Sequence, residues 1–408
     1  MKSEFLNTLQ ERGFIHQATD LEGLDAYLAK TPEASAYIGF DCTAPTLHVG
    51  SLVQIMMLRH FQAAGHTPIA LMGGGTTKVG DPSGKTEVRK ILSHGDIEIN
   101  VAGIKTIFDH FLEFGKDRAV LVDNADWLDT LDYIPFLREV GKHFTVNKML
   151  TMDSVKLRLD REQPLTFLEF NYMILQAYDF VELYKRYGCQ VQLGGSDQWG
   201  NIVNGIDLGR RLENAELYGL TSPLITNSDG DKMGKTAKGA VWLTPEHLSD
   251  YEYWQFWRNT GDGDVGRFLK LFTDLSMEEI AKLEALEGQE LNAAKKILAD
   301  AATALCRGQD AAKAASDTAR KTFEEGEFGK ELPEYRINLR TFGQQKINLS
   351  FLWATTEFKS KKEIRRGIEQ GSIFVNEKKI SNPFGEDFVQ GVNKIRVGKK
   401  RHFTIIVD

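Results

Sequence analysis

Two lysines three residues apart, Lys232 and Lys235, stand in the polar run Asp231-Lys232-Met233-Gly234-Lys235-Thr236. Such a pair can set two ammonium groups on phosphates in transfer, although a solvent-exposed loop is the ordinary reading of the hexamer alone. A histidine offers a second anchor. In Tyr37-Ile38-Gly39-Phe40-Asp41-Cys42-Thr43-Ala44-Pro45-Thr46-Leu47-His48-Val49-Gly50-Ser51 a β-rich run turns into a helix that begins near Gly50, which places His48 at the helix N-terminus. Unpaired backbone amides and the positive end of the helix dipole favour an anion there, and Gly50 leaves room for close approach to the backbone. The spacing predicts a phosphate site, with a plainly capped helix as the alternative. The glycine-rich stretch 73–86 invites a P-loop reading, but three residues separate Gly80 from Gly84-Lys85-Thr86 where that motif needs four. What remains is a loop after a strand, with Asp81 placed to receive an ammonium group, or a turn built from Gly, Asp and Pro.

Tyr172, Gln176 and Asp179 fall at i, i+4 and i+7 of an apolar, aromatic helical segment, 171–183. They share one face and offer hydrogen bonds without a cation, which suits a half-buried polar pocket as well as a satisfied core network. Gly194-Gly195-Ser196-Asp197-Gln198-Trp199-Gly200-Asn201 ends a later strand, where a carboxylate can accept ribose hydroxyls.

These groups need a scaffold. β-rich runs at 36–40, 68–72, 119–122 and 189–193 alternate with helical stretches at 49–64, on to 114, and at 167–187. That alternation predicts βαβ units and a Rossmann-type parallel sheet, with ligand loops at the strand ends. Strand signals vanish over 244–323, where 277–286 and 292–306 carry apolar residues at helical spacing. The expected organisation is an α/β catalytic domain at 1–222, a signature loop and α-helical domain at 223–325, a linker at 326–345, and a small α+β module at 346–408.

The 408 residues carry a net charge of −7, but the charge is unevenly spread. Residues 346–408 hold 13 Lys or Arg against 7 Asp or Glu, while 1–345 hold 37 against 50. A basic module on an acidic body suits a protein that meets a phosphate-rich polymer, and an excess of this size is equally found on ordinary surfaces. Cysteines number 3, too few and too scattered for a disulfide framework or a zinc knuckle, which fits a reducing cytoplasm. The first 13 residues suit a short amphipathic helix and lack a signal peptide's apolar block, and no apolar run approaches membrane-spanning length.

In this order the segments resemble bacterial tyrosyl-tRNA synthetases, class I aminoacyl-tRNA synthetases, across essentially the whole chain. Leu47-His48-Val49-Gly50-Ser51 looks like the first class signature with Ser51 in place of the usual final His, and Lys232-Met233-Gly234-Lys235-Thr236 looks like the second with Gly234 and Thr236 where many relatives have serine. Residues 360–376 are similar to the S4-type RNA-binding fold.

The resemblance implies two-step chemistry on L-tyrosine, ATP with Mg2+, and tRNA-Tyr, with no organic cofactor and no resident metal site. It implies that Thr43 and His48 hold the departing phosphates with Lys85 nearby, and that Lys232, Lys235 and Thr236 close over them. Asp81, Tyr172 and Gln176 would receive the ammonium group and Gln198 the tyrosyl carboxylate, with Asp41 near ammonium and ribose. Tyr37 and Asp179 would bond the phenolic hydroxyl. Gly39, His48, Gly50, Asp197 and Lys235 would contact ATP, Asp197 through its ribose. A cytoplasmic homodimer spanned by tRNA is expected. A tryptophanyl enzyme shares the fold, but an indole has no hydroxyl for Tyr37 and Asp179. An RNA-binding splicing helper on the same scaffold is the other alternative, and the intact signature lysines speak against it.

Overall fold

The computed structural model describes residues 1–83, 91–116, 118–226, 233–236, 239–323, 332–338, 352–353, 355, 357–358, 360–381, 388–398 and 401–408. Contacts divide the chain into two units. The first comprises Met1–Lys235, Ala240–Thr244 and Thr260–Leu298, and the second Thr236–Gly239, Pro245–Asn259 and Ala299–Asp408, so the stretch 223–325 is shared between them.

The first unit is built on a sheet of strands β1 (Gln17–Ala18), β2 (Ser35–Asp41), β3 (Thr67–Gly73), β4 (Val120–Asp123), β5 (Val191–Gly195) and β6 (Tyr218–Ser222), in the order β1-β6-β5-β2-β3-β4. All neighbours are parallel except β1 against β6. Strands β3, β5 and β6 are buried almost throughout, as parallel strands covered on both faces must be. From β2 the chain moves outward through β3 to β4, then returns to lay β5 and β6 on the opposite side. The crevice at the carboxyl ends of β2 and β5 is therefore the topological switch point, where open α/β sheets bind ligands. Strand β6 gives no signal in the sequence, because Tyr-Gly-Leu-Thr-Ser lacks the β-branched run that marks its neighbours.

Two helices matter most for the site. Val49–Ala63 follows β2 and is capped by His48, whose Nδ1 accepts from the Gly50 N–H at 3.0 Å. Phe167–Tyr187 opens with a capping box between Thr166 and Glu169 and stops at Gly188, whose φ of 62° is the left-handed turn glycine adopts without strain. Its buried face packs Phe180 and Leu183 with Tyr37, Ile69 and Leu71.

Strands β7 (Lys235–Thr236) and β8 (Gly239–Ala240) form a small two-stranded ribbon, and helices Asp250–Arg258, Val265–Phe272, Met277–Glu284, Leu291–Arg307 and Gln309–Phe323 fill the stretch where strand signals vanish. The carboxyl-terminal module is α+β. Strands β9 (Glu334–Ile337), β10 (Ile373–Val375), β11 (Lys378–Lys379), β12 (Gly391–Val397) and β13 (Arg401–Val407) join in the order β11-β10-β12-β13-β9, alongside the helix Lys361–Glu369. Within the stretch 326–345, expected as a linker, the described residues include a strand. Residues 334–337 pair in parallel with β13, and Ile337 and Tyr335 pack on the module's core of Ile364, Ile373, Ile395 and Phe403. A four-residue alternation among charges resembles a tether in sequence because its partner strand lies some 70 residues further on.

Candidate functional site

At the switch point lies a cavity of about 350 Å³. Its lining gathers Tyr37, Gly39, Asp41, His48, Gly50, Asp81, Tyr172, Gln176, Asp179, Asp197 and Gln198 from β2, the end of β5, the start of the helix Val49–Ala63, the loop after β3 and the helix Phe167–Tyr187. The remaining expected residues are placed differently. Thr43 is exposed on the turn between β2 and its helix and is not part of the lining. Lys85 and Lys232 lie outside the described residues, and Lys235 and Thr236 are described in backbone only, as β7.

The buried end of the cavity is a hydrogen-bonded network. Asp179 is 2% exposed and accepts from Trp127 Nε1 at 2.8 Å and from Asn124 Nδ2 at 2.9 Å. Asn124 Nδ2 also reaches Thr76 Oγ1 at 3.1 Å, Thr76 donates to Asp41 Oδ1 at 2.9 Å, and the Tyr172 hydroxyl donates to Asp41 Oδ2 at 3.1 Å. Behind Trp127, the Arg186 guanidinium lies 5.1 Å from the indole centroid and is itself tied to Glu182 at 2.8 Å. Beside this chain stands Tyr37, 1% exposed and edge-on to Phe180 at 5.2 Å. Its hydroxyl has no hydrogen-bond partner among the described residues, and neither has Oε1 of Gln192, its neighbour across β5. Buried polar atoms without partners are rare, and two in one cavity point to a polar guest.

Charge follows the same division. Burial pushes the Asp179 carboxyl up to about 8 against the opposing bonds from Asn124 and Trp127. Burial, then the Asp179 charge, holds the Tyr37 phenol well above its ordinary value, and Tyr172 is raised by burial followed by Asp41, Asp81 and Asp179. Asp81 accepts from the Ser83 N–H and from Gln198 Nε2, both at 2.8 Å, and Asn201 donates to Gln198 Oε1 at 3.0 Å. With Asp41, Asp81 and Asp197 beside the raised Asp179, and neither Lys nor Arg in the described lining, the cavity favours a cation in its middle.

At the outer end the two signature segments meet. His48 itself takes the Gly50 amide, which is the capped helix that stood as the alternative to an open terminus. With Nδ1 accepting, the ring proton of the neutral imidazole belongs on Nε2, a donor. Gly234 has φ +92°, and a Cβ there would press on Gly50 N and His48 Nδ1 at 2.8 Å each. This close approach gives a physical reason for glycine at 234. Val241 ties the pair together, donating to the Gly234 carbonyl and accepting from the Val49 N–H, both at 2.9 Å.

The family of class I tRNA synthetases for tryptophan and tyrosine (W and Y) is matched over residues 29–324. The chain belongs to it. A tyrosine--tRNA ligase of Rhodospirillum rubrum is 58% identical over 412 residues, covering 100% of this chain and 98% of the relative. Another, of Xanthobacter autotrophicus, is 57% identical over 99% of this chain and 98% of its own. Among solved structures, a carboxyl-terminally truncated mitochondrial tyrosyl-tRNA synthetase of Aspergillus nidulans aligns with a TM-score of 0.71 at 30% identity, over 78% of this chain and 94% of its own. As a class I synthetase the chain places its signature segments at the sheet's switch point, and the network at its buried end contains Thr76, Asn124, Trp127 and Gln192, none of which sequence reasoning singles out. Asn124 and Trp127 follow directly on β4, so polar residues just past a parallel strand are the available signal.

Proposed function

We propose that this class I synthetase activates L-tyrosine with ATP and transfers the tyrosyl group to tRNA-Tyr. The supporting observation is the cavity's buried end, where the unpartnered Tyr37 hydroxyl and an Asp179 fixed by Asn124 and Trp127 offer a donor and an acceptor to one phenolic hydroxyl. An indole in that place would leave them unsatisfied. Full-length similarity to bacterial tyrosine--tRNA ligases supports the same choice.

In the proposed reaction Asp81, Tyr172 and Gln176 receive the ammonium group, with Asp41 close behind through its bond to Tyr172. Gln198, held by Asp81 and Asn201, orients the carboxylate, whose oxygen attacks the α-phosphorus as pyrophosphate leaves. Positioning and charge stabilisation supply such displacements, with no covalent nucleophile on the protein. Gly39 and Gly50 give the nucleotide backbone clearance, and Asp197 accepts from the ribose. Thr43, His48, Lys85, Lys232, Lys235 and Thr236 meet the β- and γ-phosphates, which the lysine-free described lining cannot neutralise by itself. Mg2+ enters as the ATP complex, since such ions bind mainly through substrate phosphates with one or two carboxylates. No cluster of three or more His, Cys, Asp or Glu placed for a metal occurs among the described residues.

The basic module is proposed to hold tRNA through Lys361, Lys362, Arg365 and Arg366 on its helix and Lys378 and Lys379 on β11, all of them exposed cations. A homodimer is proposed, supported by Tyr133, Ile134, Val146, Leu159 and Phe167, which are 50–71% exposed within one short stretch of sequence and offer apolar surface for a second copy to cover. No helix among the described residues is long and apolar enough to cross a membrane. With Cys42, Cys189 and Cys306 all free and buried, the cytoplasm is the proposed setting.

Amino-acid-dependent exchange of pyrophosphate into ATP tests the proposal. Tyrosine should drive it, with phenylalanine and tryptophan far behind. Exchange driven by tryptophan, or RNA binding with no exchange at all, would overturn it in favour of the tryptophan enzyme or of an RNA-binding role.

A further inference from the structure

The turn that carries Thr43 and leads to His48 is held from behind by a helix that contributes nothing to the cavity lining. His94–Phe108 buries Ile97, Ile104, Ile107 and Phe108 on one face, and among them stands one polar side chain, Asn100, 7% exposed. Its Nδ2 donates to the Cys42 carbonyl at 2.8 Å. From the other side, the Thr77 hydroxyl accepts from the Cys42 N–H at 2.7 Å. The peptide groups flanking Cys42, directly before Thr43, are thus pinned at both ends by side chains. One turn further along the same helix lies Gly103, and a Cβ there would sit inside van der Waals contact with the Pro45 carbonyl oxygen. Glycine and asparagine are both poor choices for a helix interior. Here both serve the same six-residue turn, one by a hydrogen bond and one by close approach.

We propose that Asn100 and Gly103 are positioning residues for phosphoryl displacement: they fix the turn from Cys42 to Leu47 so that Thr43 and His48 meet the leaving phosphates. Neither residue touches substrate. The inference rests on the reading of Thr43 and His48 as phosphate ligands. Most of the tyrosine pocket lies off that turn: Asp81, Tyr172, Gln176 and Asp179 are carried by other elements, and Asp41, which precedes the turn on β2, is held separately by Thr76 and Tyr172. The cost falls on alignment at the reacting phosphorus, where a misplacement of about 1 Å is worth on the order of a hundredfold in rate.

The test uses the full chain with Asn100→Asp, which keeps the shape and removes the donor, Gly103→Ala, which improves helix propensity while pressing on Pro45, and Thr43→Ala as reference. Pre-steady-state adenylate formation gives the active fraction from the burst amplitude and the rate per active site from its time course, and equilibrium dialysis gives the Kd for tyrosine. The expected result is a burst amplitude and tyrosine Kd within about twofold of the parent, with the per-site rate at saturating ATP down between about tenfold and a hundredfold in both helix variants. A reduced amplitude with an unchanged per-site rate would make the two residues merely structural and overturn the inference. So would a tyrosine Kd that weakens in step with the rate. If Thr43→Ala is slow while Asn100→Asp and Gly103→Ala are not, the inference alone fails. If Thr43→Ala is not slowed, the phosphate reading of the turn fails and takes the inference with it.

Discussion

Replacing Tyr37 by phenylalanine should make the free enzyme more stable and less discriminating. The two signs follow from one atom. The Tyr37 hydroxyl is buried and unpartnered among the described residues, and a buried donor left unpaired costs about 1–3 kcal/mol. The Tyr37→Phe variant keeps the edge-on packing against Phe180 and removes that penalty, so the substrate-free protein should gain about 1 kcal/mol and melt about 1–2 °C higher. With tyrosine bound, the parent gains a hydrogen bond that the variant lacks, worth about 0.5–1.5 kcal/mol, while phenylalanine as substrate gains nothing from either. The ratio of kcat/KM for tyrosine over phenylalanine should therefore fall by about 2- to 13-fold, mostly through weaker use of tyrosine. Pyrophosphate exchange with both amino acids, beside thermal melts with and without saturating tyrosine, reads every term. The tyrosine-induced rise in melting temperature should be smaller in the variant than in the parent. A variant that melts lower with an unchanged ratio would show that the hydroxyl serves the core, and would refute its assignment to the substrate.

Other outcomes follow from the same structure. Burial pushes Asp179 up to about 8, so between about pH 4 and pH 8 the folded chain binds a proton there that the unfolded chain has lost, and this carboxyl removes stability as pH rises through that window. Chemical denaturation across that range should show Asp179→Asn gaining on the parent as pH rises, and a constant difference would refute the raised value. Ending the chain at 331, ahead of β9, should preserve tyrosine-dependent exchange and abolish tRNA aminoacylation, whereas ending it near 343 strands β9 without β13 and should yield a less soluble protein. Lys235→Ala should slow adenylate formation at least about tenfold in stopped-flow traces while the tyrosine Kd stays within about twofold, because its charge is wanted on phosphates rather than on the amino acid. Ile134→Glu should shift the sedimentation coefficient from dimer to monomer if the exposed apolar surface pairs two copies.

What was legible in the sequence was whatever a single segment could state alone. Tyr172, Gln176 and Asp179 declare a common face through helical spacing, and the helix Phe167–Tyr187 presents all three to one cavity. The parallel sheet is readable from β2, β3, β4 and β5 because each is short and apolar, whereas β6 hides behind Gly219, Thr221 and Ser222, and β9 behind its charges. The residues that escape notice act through partners far away in the chain. Asn124 matters because it joins Asp179 to Thr76, separations of 55 and 48 residues, and Trp127 because its N–H reaches the same carboxylate 52 residues away. Their place just past β4 hints at a ligand loop, but neither type nor spacing names the distant partner.

The same distinction explains why the pocket can be specific at all. Asp179 has its two oxygens committed to Asn124 and Trp127, which leaves it one orientation, and Thr76 does the same for Asp41. A carboxylate free to turn would satisfy itself with water or with Tyr37, and the missing hydroxyl of phenylalanine would then cost little. Because the protein commits its own donors to Asp179, the remaining lone pairs and the Tyr37 hydroxyl cannot rearrange to cover an absent guest, so the penalty for the wrong amino acid is the full cost of unpaired buried groups. On the proposed assignment, discrimination depends on groups that never approach the reacting phosphorus. It predicts that Trp127→Phe, which removes one donor and keeps an aromatic ring, should lower the tyrosine-to-phenylalanine ratio several-fold while leaving the rate of adenylate formation at saturating tyrosine within about twofold. A loss confined to that rate, with the ratio intact, would instead place Trp127 in the service of the chemistry.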